Sequence, residues 1–331
     1  MESARSAPLW RWRAKHNDMK HRLILAGGSG FLGQALAAHF QSAHWEIVVL
    51  TRSPKARSDG VGEVQWDAGT LGGWTEPLEG ADAVVNVTGR SVNCRYNARN
   101  RKEILESRVH STRVLGEAIG RCANPPPVWL NASTATVYKH TFGEPWDETG
   151  AMEPAAEAKD AFSVEVAKAW EAALEEAATP RTRKVAMRMA LVLGMGRNSV
   201  FPVLRRLARL GLGGKMGSGR QYVSWIHVAD YCRAVEWIIA HHELSGPVNV
   251  VAPNPVPNRE MMRLLRKACG VQSGLPATNW MLEIGAFFLR TETELIIKSR
   301  RVIPGRLLKS GFCYEFPILE AAFRNLADQS N

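Results

Sequence analysis

The sequence predicts an α/β fold, a doubly wound parallel sheet with a smaller, mainly helical C-terminal lobe. Three observations predict it. A short apolar strand, Leu23 to Ala26, runs into spaced glycines, and an apolar helical stripe (Leu32, Leu36, Phe40) follows. Strand-like and helix-like stretches then alternate as far as Leu193, the pattern of a parallel sheet with crossover helices. Beyond Gly194 the texture changes to a glycine-dense stretch, Gly211 to Gly219, and then to mainly helical patterning. The chain therefore divides into residues 1–20, a sheet domain over 21–195 with some later residues returning to it, and a substrate lobe over 196–328.

The glycines carry the first functional reading. Gly27 permits the turn out of the strand, Gly30 lets backbone approach a pyrophosphate, and Gly33 lets the helix pack close to the strand. Free N–H groups at the helix start face the phosphates. Gly27, Ser29, Gly30, Phe31, Leu32 and Gly33 thus form the candidate phosphate cradle of a Rossmann-type domain.

The second strand, Trp45 to Leu50, ends at Thr51-Arg52-Ser53. An acid at that place binds a ribose 2′-hydroxyl and an arginine accommodates a 2′-phosphate, so Arg52 points to NADP, with NAD the alternative. Val64 to Asp67 reads as a short strand whose Asp67 accepts from an adenine amino group. The buried strand Ala81 to Val87 ends at Val87-Thr88-Gly89, placed against the middle of the cofactor. Ala98 to Cys122 is helical in period and is broken by Pro125-Pro126-Pro127. A strand from Val128 to Ala132 feeds Ser133-Thr134-Ala135-Thr136-Val137-Tyr138, hydroxyls on the ligand side of a doubly wound sheet. A helix over 161–178, one strand over 185–193, and a helix from Tyr231 capped by Asp230 complete the order, with a last strand at 248–251.

Composition narrows the function classes. The 331 residues are 45% hydrophobic and 22% charged, and no apolar run approaches the ~18 residues of a membrane span. Cys94, Cys122, Cys232, Cys269 and Cys313 are scattered without C-x-x-C spacing, which fits a reducing cytoplasm and no metal or disulfide framework. The net charge is +10, and the stretch Met1 to Arg22 holds six Lys or Arg against two acids. The rest is only mildly basic, which suits an anionic cofactor and small-molecule substrate and does not indicate nucleic acid. Residues 1–20 lack the apolar run of a secretory signal and read as a disordered or artefactual extension.

Five stretches together carry a resemblance. They are Gly27 to Gly33, Trp170-Glu171, Gly217-Ser-Gly-Arg-Gln221 with Ser224-Trp-Ile-His227, Lys298-Ser-Arg-Arg-Val-Ile-Pro304, and Leu308-Lys-Ser-Gly-Phe312. Over residues 20–328 the chain resembles an extended short-chain dehydrogenase/reductase of the NAD-dependent epimerase/dehydratase type. Within that type it is similar to the subgroup called only "epimerase family protein", with a short C-terminal domain (DUF1731) at about 275–325. The resemblance implies a nicotinamide cofactor, a substrate lobe, and Thr134 bonding the substrate oxygen.

The sequence departs from the family at two places. The family's Tyr-x-x-x-Lys pair, which moves the proton and holds the nicotinamide ribose, aligns with Phe162 and Val166. None of the five tyrosines has a lysine four residues on. The arginine that holds a diphosphate in nucleotide-sugar relatives is Val223 here, with Arg220 nearby, which makes a nucleotide sugar a poorer fit. Tyr138, in the same strand-end loop as Thr134, is then the first candidate to move the proton, with a pKa near the ordinary ~10. His227 is the next candidate, Trp225 reads as core, and Lys168 as solvent-facing.

The function expected is an NADP-dependent oxidoreductase on a small substrate. A non-catalytic dinucleotide-binding protein and an epimerase or dehydratase with held cofactor are the alternatives; substrate and oligomeric state are left open. Residues 1–20 carry no apolar periodicity and precede the first strand. A chain started at Met19 should therefore melt at the temperature of the full chain. A large drop would show that the extension packs on the domain.

Overall fold

The computed structural model describes residues 21–196, 198–278, 280–281 and 294–329. The extension expected at residues 1–20 lies outside the described residues. Seven parallel strands form the main sheet. They are β1 (Arg22–Ala26), β2 (Glu46–Thr51), β3 (Gly62–Gln65), β4 (Ala83–Asn86), β5 (Val128–Thr134), β6 (Arg183–Met189) and β10 (Gly246–Val250). Their order across the sheet is β3-β2-β1-β4-β5-β6-β10. The chain winds outward from β1 to β3, then returns to β4 on the other side of β1. That reversal puts a crevice at the carboxyl ends of β1 and β4, where doubly wound sheets take ligands.

Helices α1 (Phe31–Ser42) and α5 (Val228–Ala240) cover one face; α2 (Ala98–Arg121) and α3 (Ala161–Glu175) cover the other. The central strands β1, β2 and β4 are mostly apolar because both faces are buried: Leu23, Leu25, Val49 and Val85 belong to one core cluster, and Ile24, Leu50 and Val84 to the other. A third cluster holds the lobe. It packs α4 (Val200–Arg209) and α6 (Asn258–Ala268) with the last helix, Leu319–Asp328, around Trp225, which is fully buried as expected. A short antiparallel pair, β8 (Tyr222–Val223) with β11 (Val256–Pro257), leads into this lobe. Lys168 is exposed, also as expected.

Two expectations are corrected. The single strand expected over 185–193 breaks at Ala190. Its first part is β6; its second, β7 (Leu191–Leu193), leaves the sheet to pair with β9 (Trp225–His227). Periodicity could not show this, because both pieces are apolar. Asp230 is not the cap of α5. His227 is the cap, its Nδ1 accepting from Ala229 N–H at 3.1 Å. Asp230 sits fully buried in the first turn, accepting from Arg233 and from the N–H groups of Glu315 and Phe316.

A buried ion pair supports the carboxyl ends of β5 and β6. Arg188 on β6 forks onto Glu171 of α3 through Nε at 2.8 Å and Nη2 at 2.7 Å. Glu171 also accepts from Ser133 Oγ at 2.6 Å. The same guanidinium donates to the Tyr138 hydroxyl, which donates in turn to Asn249 Oδ1 on β10 at 2.7 Å. Four elements are locked in register where the loops of the site begin.

Candidate active site

The glycine turn has the geometry that the sequence implies. Gly27 adopts φ +78°, and a side chain there would lie 2.9 Å from Thr88 backbone. A Cβ on Gly33 would lie 2.3 Å from Gly28 Cα, so helix and turn are in close contact. At Gly30, by contrast, a Cβ would meet nothing nearer than Gly27 O at 3.7 Å. Gly30 caps α1 with no side chain on its free N–H groups. Beside the turn, Thr88 Oγ1 is buried without a hydrogen-bond partner. An open cradle, an uncapped helix start and an orphaned hydroxyl fit a pyrophosphate.

The other positions expected to meet the cofactor follow the carboxyl ends of β1 to β4. Ser29 is exposed. The Phe31 ring packs under the backbone of Gly194 and Gly196, leaving its N–H at the helix start, and Leu32 packs against the core. Arg52 is exposed just beyond β2, and among the described residues it has no ion-pair partner. Asp67 closes its own loop: Oδ1 accepts from Gly69 and Thr70 N–H, and Oδ2 from Thr70 Oγ1 at 2.6 Å. Those bonds, the Thr70 hydroxyl's above all, pull its pKa down to about 2. Val87 and Thr88 follow β4, and Gly89 is exposed beside Arg108.

Thr134 ends β5, half-buried, its Oγ1 accepting from Thr136 N–H at 3.1 Å, so the hydroxyl proton remains free to donate. Tyr138 is corrected. Its ring is 1% exposed in a small core cluster, and its hydroxyl is engaged as donor and acceptor by Asn249 and Arg188. Burial pushes its pKa up to about 12, above the ordinary value expected from sequence. This hydroxyl holds the sheet together and is not presented to a ligand. His227 is corrected likewise. Its ring is 2% exposed and lies 4.0 Å from Phe316, its Nδ1 caps α5, and burial pushes its pKa down.

At the start of α3, where the resemblance places a reacting tyrosine and lysine, Phe162 and Val166 form an apolar cluster with Ile104. Tyr96 lies edge-on to Phe162, 5.1 Å between ring centroids. Charged groups from far along the chain surround this cluster. Lys298 and Asp160, both fully buried, form an ion pair, and Lys298 also donates to Thr136 O at 2.6 Å. Arg300 Nε donates to Thr136 Oγ1 at 3.1 Å. Glu294 accepts from Ser163 Oγ at 3.0 Å through Oε2, while its buried Oε1 has no partner. Burial lifts the Glu294 pKa, against the pull of Ser163, Arg300 and Lys298.

Sequence reading missed Asp160, Glu294, Lys298 and Arg300. Lys298 and Arg300 stand in a stretch that marks the C-terminal domain, yet nothing local ties them to Thr136, 162 and 164 residues away. The stretch is stitched in by Ser224, which accepts from Val302 N–H and donates to Arg300 O, and by Arg300 N–H on Tyr222 O. Two of the sequence marks therefore meet in space. Arg220 stacks over Phe142, its guanidinium carbon 5.6 Å from the ring centroid.

A family model described as "NAD dependent epimerase/dehydratase family" matches residues 23–252, and the DUF1731 domain of unknown function matches 277–326. The chain belongs to this epimerase/dehydratase family. "Epimerase family protein SDR39U1" of Homo sapiens is 32% identical over 92% of this chain and 99% of its own length. "Epimerase family protein YfhF" of Bacillus subtilis is 27% identical over 92% of this chain and 97% of its own. The crystal structure of human SDR39U1 (isoform 2) with NADPH superposes with a TM-score of 0.80 at 29% identity, covering 93% of this chain and 99% of that one. A nucleoside-diphosphate sugar epimerase from Corynebacterium glutamicum gives 0.73 at 26% identity, covering 93% and 58%. As a family member the chain has the seven-stranded sheet and the glycine turn.

The buried ion pair at this end gives a stability test. Asp160→Asn leaves Lys298 without its counter-charge and should cost about 3–5 kcal/mol, whereas Asp160→Asn with Lys298→Met should recover most of the loss. Denaturant unfolding of the three proteins measures this. Equal stability of the parent and the single variant would contradict it.

Proposed function

We propose that this protein is an NADP-dependent oxidoreductase of the extended short-chain dehydrogenase type, acting on a small carbonyl or alcohol substrate. The observation that carries the reading is the open cradle at Gly30, at the same carboxyl edge of the parallel sheet as the strand end that bears Thr134. The NADPH in the crystal structure of human SDR39U1 supports the choice of cofactor. Gly27, Ser29, Gly30 and the N–H groups of Phe31, Leu32 and Gly33 would hold the pyrophosphate, with Thr88 Oγ1 beside it. Arg52 would meet the 2′-phosphate, Asp67 the adenine end, and Val87 and Gly89 the middle. When bound, the nicotinamide supplies or accepts the hydride.

The chain's own part is to place the oxygen and move its proton. Thr134 donates to the substrate oxygen. Phe162 cannot exchange a proton, and the hydroxyl of Tyr138 is committed elsewhere. Glu294 is the group left to move it. It is buried and held by Ser163, with one free oxygen and a raised pKa. A carboxyl whose pKa burial raises is better suited to act as a general acid. A second reading, a dinucleotide-binding protein without turnover, is favoured by Phe162 and Val166 at the reacting pair.

NADPH should bind about ten- to a hundredfold more tightly than NADH, through a charge-assisted contact worth roughly 1.5–3 kcal/mol, and Arg52→Ala should abolish the difference. Fluorescence titration of both cofactors decides this, and equal affinities in the parent would contradict it.

Turnover is followed as NADPH oxidation across a panel of small aldehydes and ketones. Thr134→Ala and Glu294→Gln should each lower the rate by at least about tenfold, a positioned acid contributing roughly 10²–10⁴-fold, with NADPH affinity unchanged. The parent's rate of reduction should fall as pH rises through the raised pKa of Glu294, because the donor is then lost. Glu294→Gln should flatten that profile. A parent that oxidises no NADPH with any carbonyl would hand the function to the binding-protein reading.

A further inference from the structure

Several cations at this end of the sheet are answered by acids; among the described residues, Arg108 and the exposed Arg101, which lies over the Phe162 ring and donates to Tyr96 O, have no ion-pair partner. Lys298 has Asp160, Arg188 has Glu171, Arg90 has Glu103, and Arg300 feels the charge of Glu294 and Asp160. Arg108, on α2, has no carboxylate within ion-pair distance among the described residues. Its Nη1 donates to Ile104 O, one turn back on its own helix, at 2.9 Å. A guanidinium has five N–H donors, so one backbone acceptor leaves most of its capacity open. The side chain is partly exposed. Burial pushes its pKa down to about 10, and the charges that oppose this come from Tyr96 and Cys94 and from no acid.

The position of this guanidinium is defined. Its carbon lies 5.0 Å from the centroid of the Trp170 ring, so a flat aromatic face supports the flat cation. Its head lies at Gly89: a Cβ there would be 3.2 Å from Arg108 Cζ and 3.3 Å from Nη2. Trp170 is itself fixed by Nε1 donating to Thr112 Oγ1 at 3.0 Å. The fork is therefore held between the loop after β4 and Trp170 in the second half of α3, near enough to Tyr96 to feel its charge. An uncompensated guanidinium is costly to keep out of water, and a bidentate anion removes that cost.

We propose that Arg108 is the anchor of an anion subsite, and that the small molecule taken by this site carries a carboxylate or phosphate group held by the Arg108 fork. The inference rests on the oxidoreductase reading for its substrate, which becomes a small anionic carbonyl compound. The same chemistry has a second source, the cofactor's own pyrophosphate, and the experiment separates the two.

Oxalate, and its neutral diamide oxamide, are titrated calorimetrically into the protein saturated with NADP+. Oxalate should bind at least about tenfold more tightly than oxamide, and Arg108→Gln should remove that preference while leaving NADP+ affinity within about twofold. In parallel, phenylglyoxal labelling of the unmutated protein is read by mass spectrometry at the Arg108 peptide, with and without NADP+. Oxalate should slow labelling at Arg108 in the NADP+-loaded protein. This arm needs no variant to fold. Oxalate and oxamide behaving alike, or Arg108 labelling unaffected by oxalate, would overturn the proposal while the cofactor reading stands. If NADP+ alone protects Arg108 and Arg108→Gln weakens NADP+ by the same factor, the fork belongs to the cofactor and the proposal is overturned. NADP+ failing to bind the parent would refute the cofactor reading instead, and oxalate protection without NADP+ would still decide the anion subsite.

Discussion

The ion pair of Lys298 with Asp160 fixes what the carboxyl end of this sheet can do. Both side chains are fully buried, and Lys298 also holds the backbone of Thr136, two residues past the Thr134 hydroxyl. A buried pair of this kind adds little net stability beside an apolar packing of the same volume. Its consequence here is positional. It draws a segment of the C-terminal domain over the loop after β5, and with that segment come Glu294 and Arg300. Without it the start of α3 would present only Phe162 and Val166, which can neither move a proton nor hold a charge.

A second network works at the floor of the same end. Arg188, Glu171, Ser133, Tyr138 and Asn249 bind β5, β6, β10 and α3 to one another. Tyr138 is spent in this network. One tyrosine in the strand-end loop is a structural strut, then, and the position of the family's reacting tyrosine is a phenylalanine. On the proposed reading the polar chemistry falls to Glu294, which the C-terminal segment delivers, and to the guanidinium of Arg108.

Much of the fold could be read from the sequence because its signals are local. A strand, a positive-φ glycine and an uncapped helix lie within the dozen residues around Gly27, and each obeys short-range steric rules. The strands of the sheet are apolar runs between turn signals. What failed to show was long-range. The break at Ala190 is invisible because β6 and β7 are equally apolar and differ only in their partners. Asp230 looks like the cap of α5, and what takes it from that role is the backbone of Glu315 and Phe316, which claims its carboxylate. Glu294, Lys298 and Arg300 are ordinary charged residues in a helical stretch until the fold brings them to Thr136 and Ser163.

On this reading the C-terminal segment 294–300 and the glycine turn form one ligand site. Hydrogen–deuterium exchange of the full chain, with and without NADP+ and oxalate together, tests it directly. Slowed exchange is expected in the turn around Gly27 to Gly33, in the loop at Thr88 and Gly89, and in the segment from Glu294 to Arg300. Protection of the turn alone, with residues 294–300 exchanging as in the free protein, would contradict it.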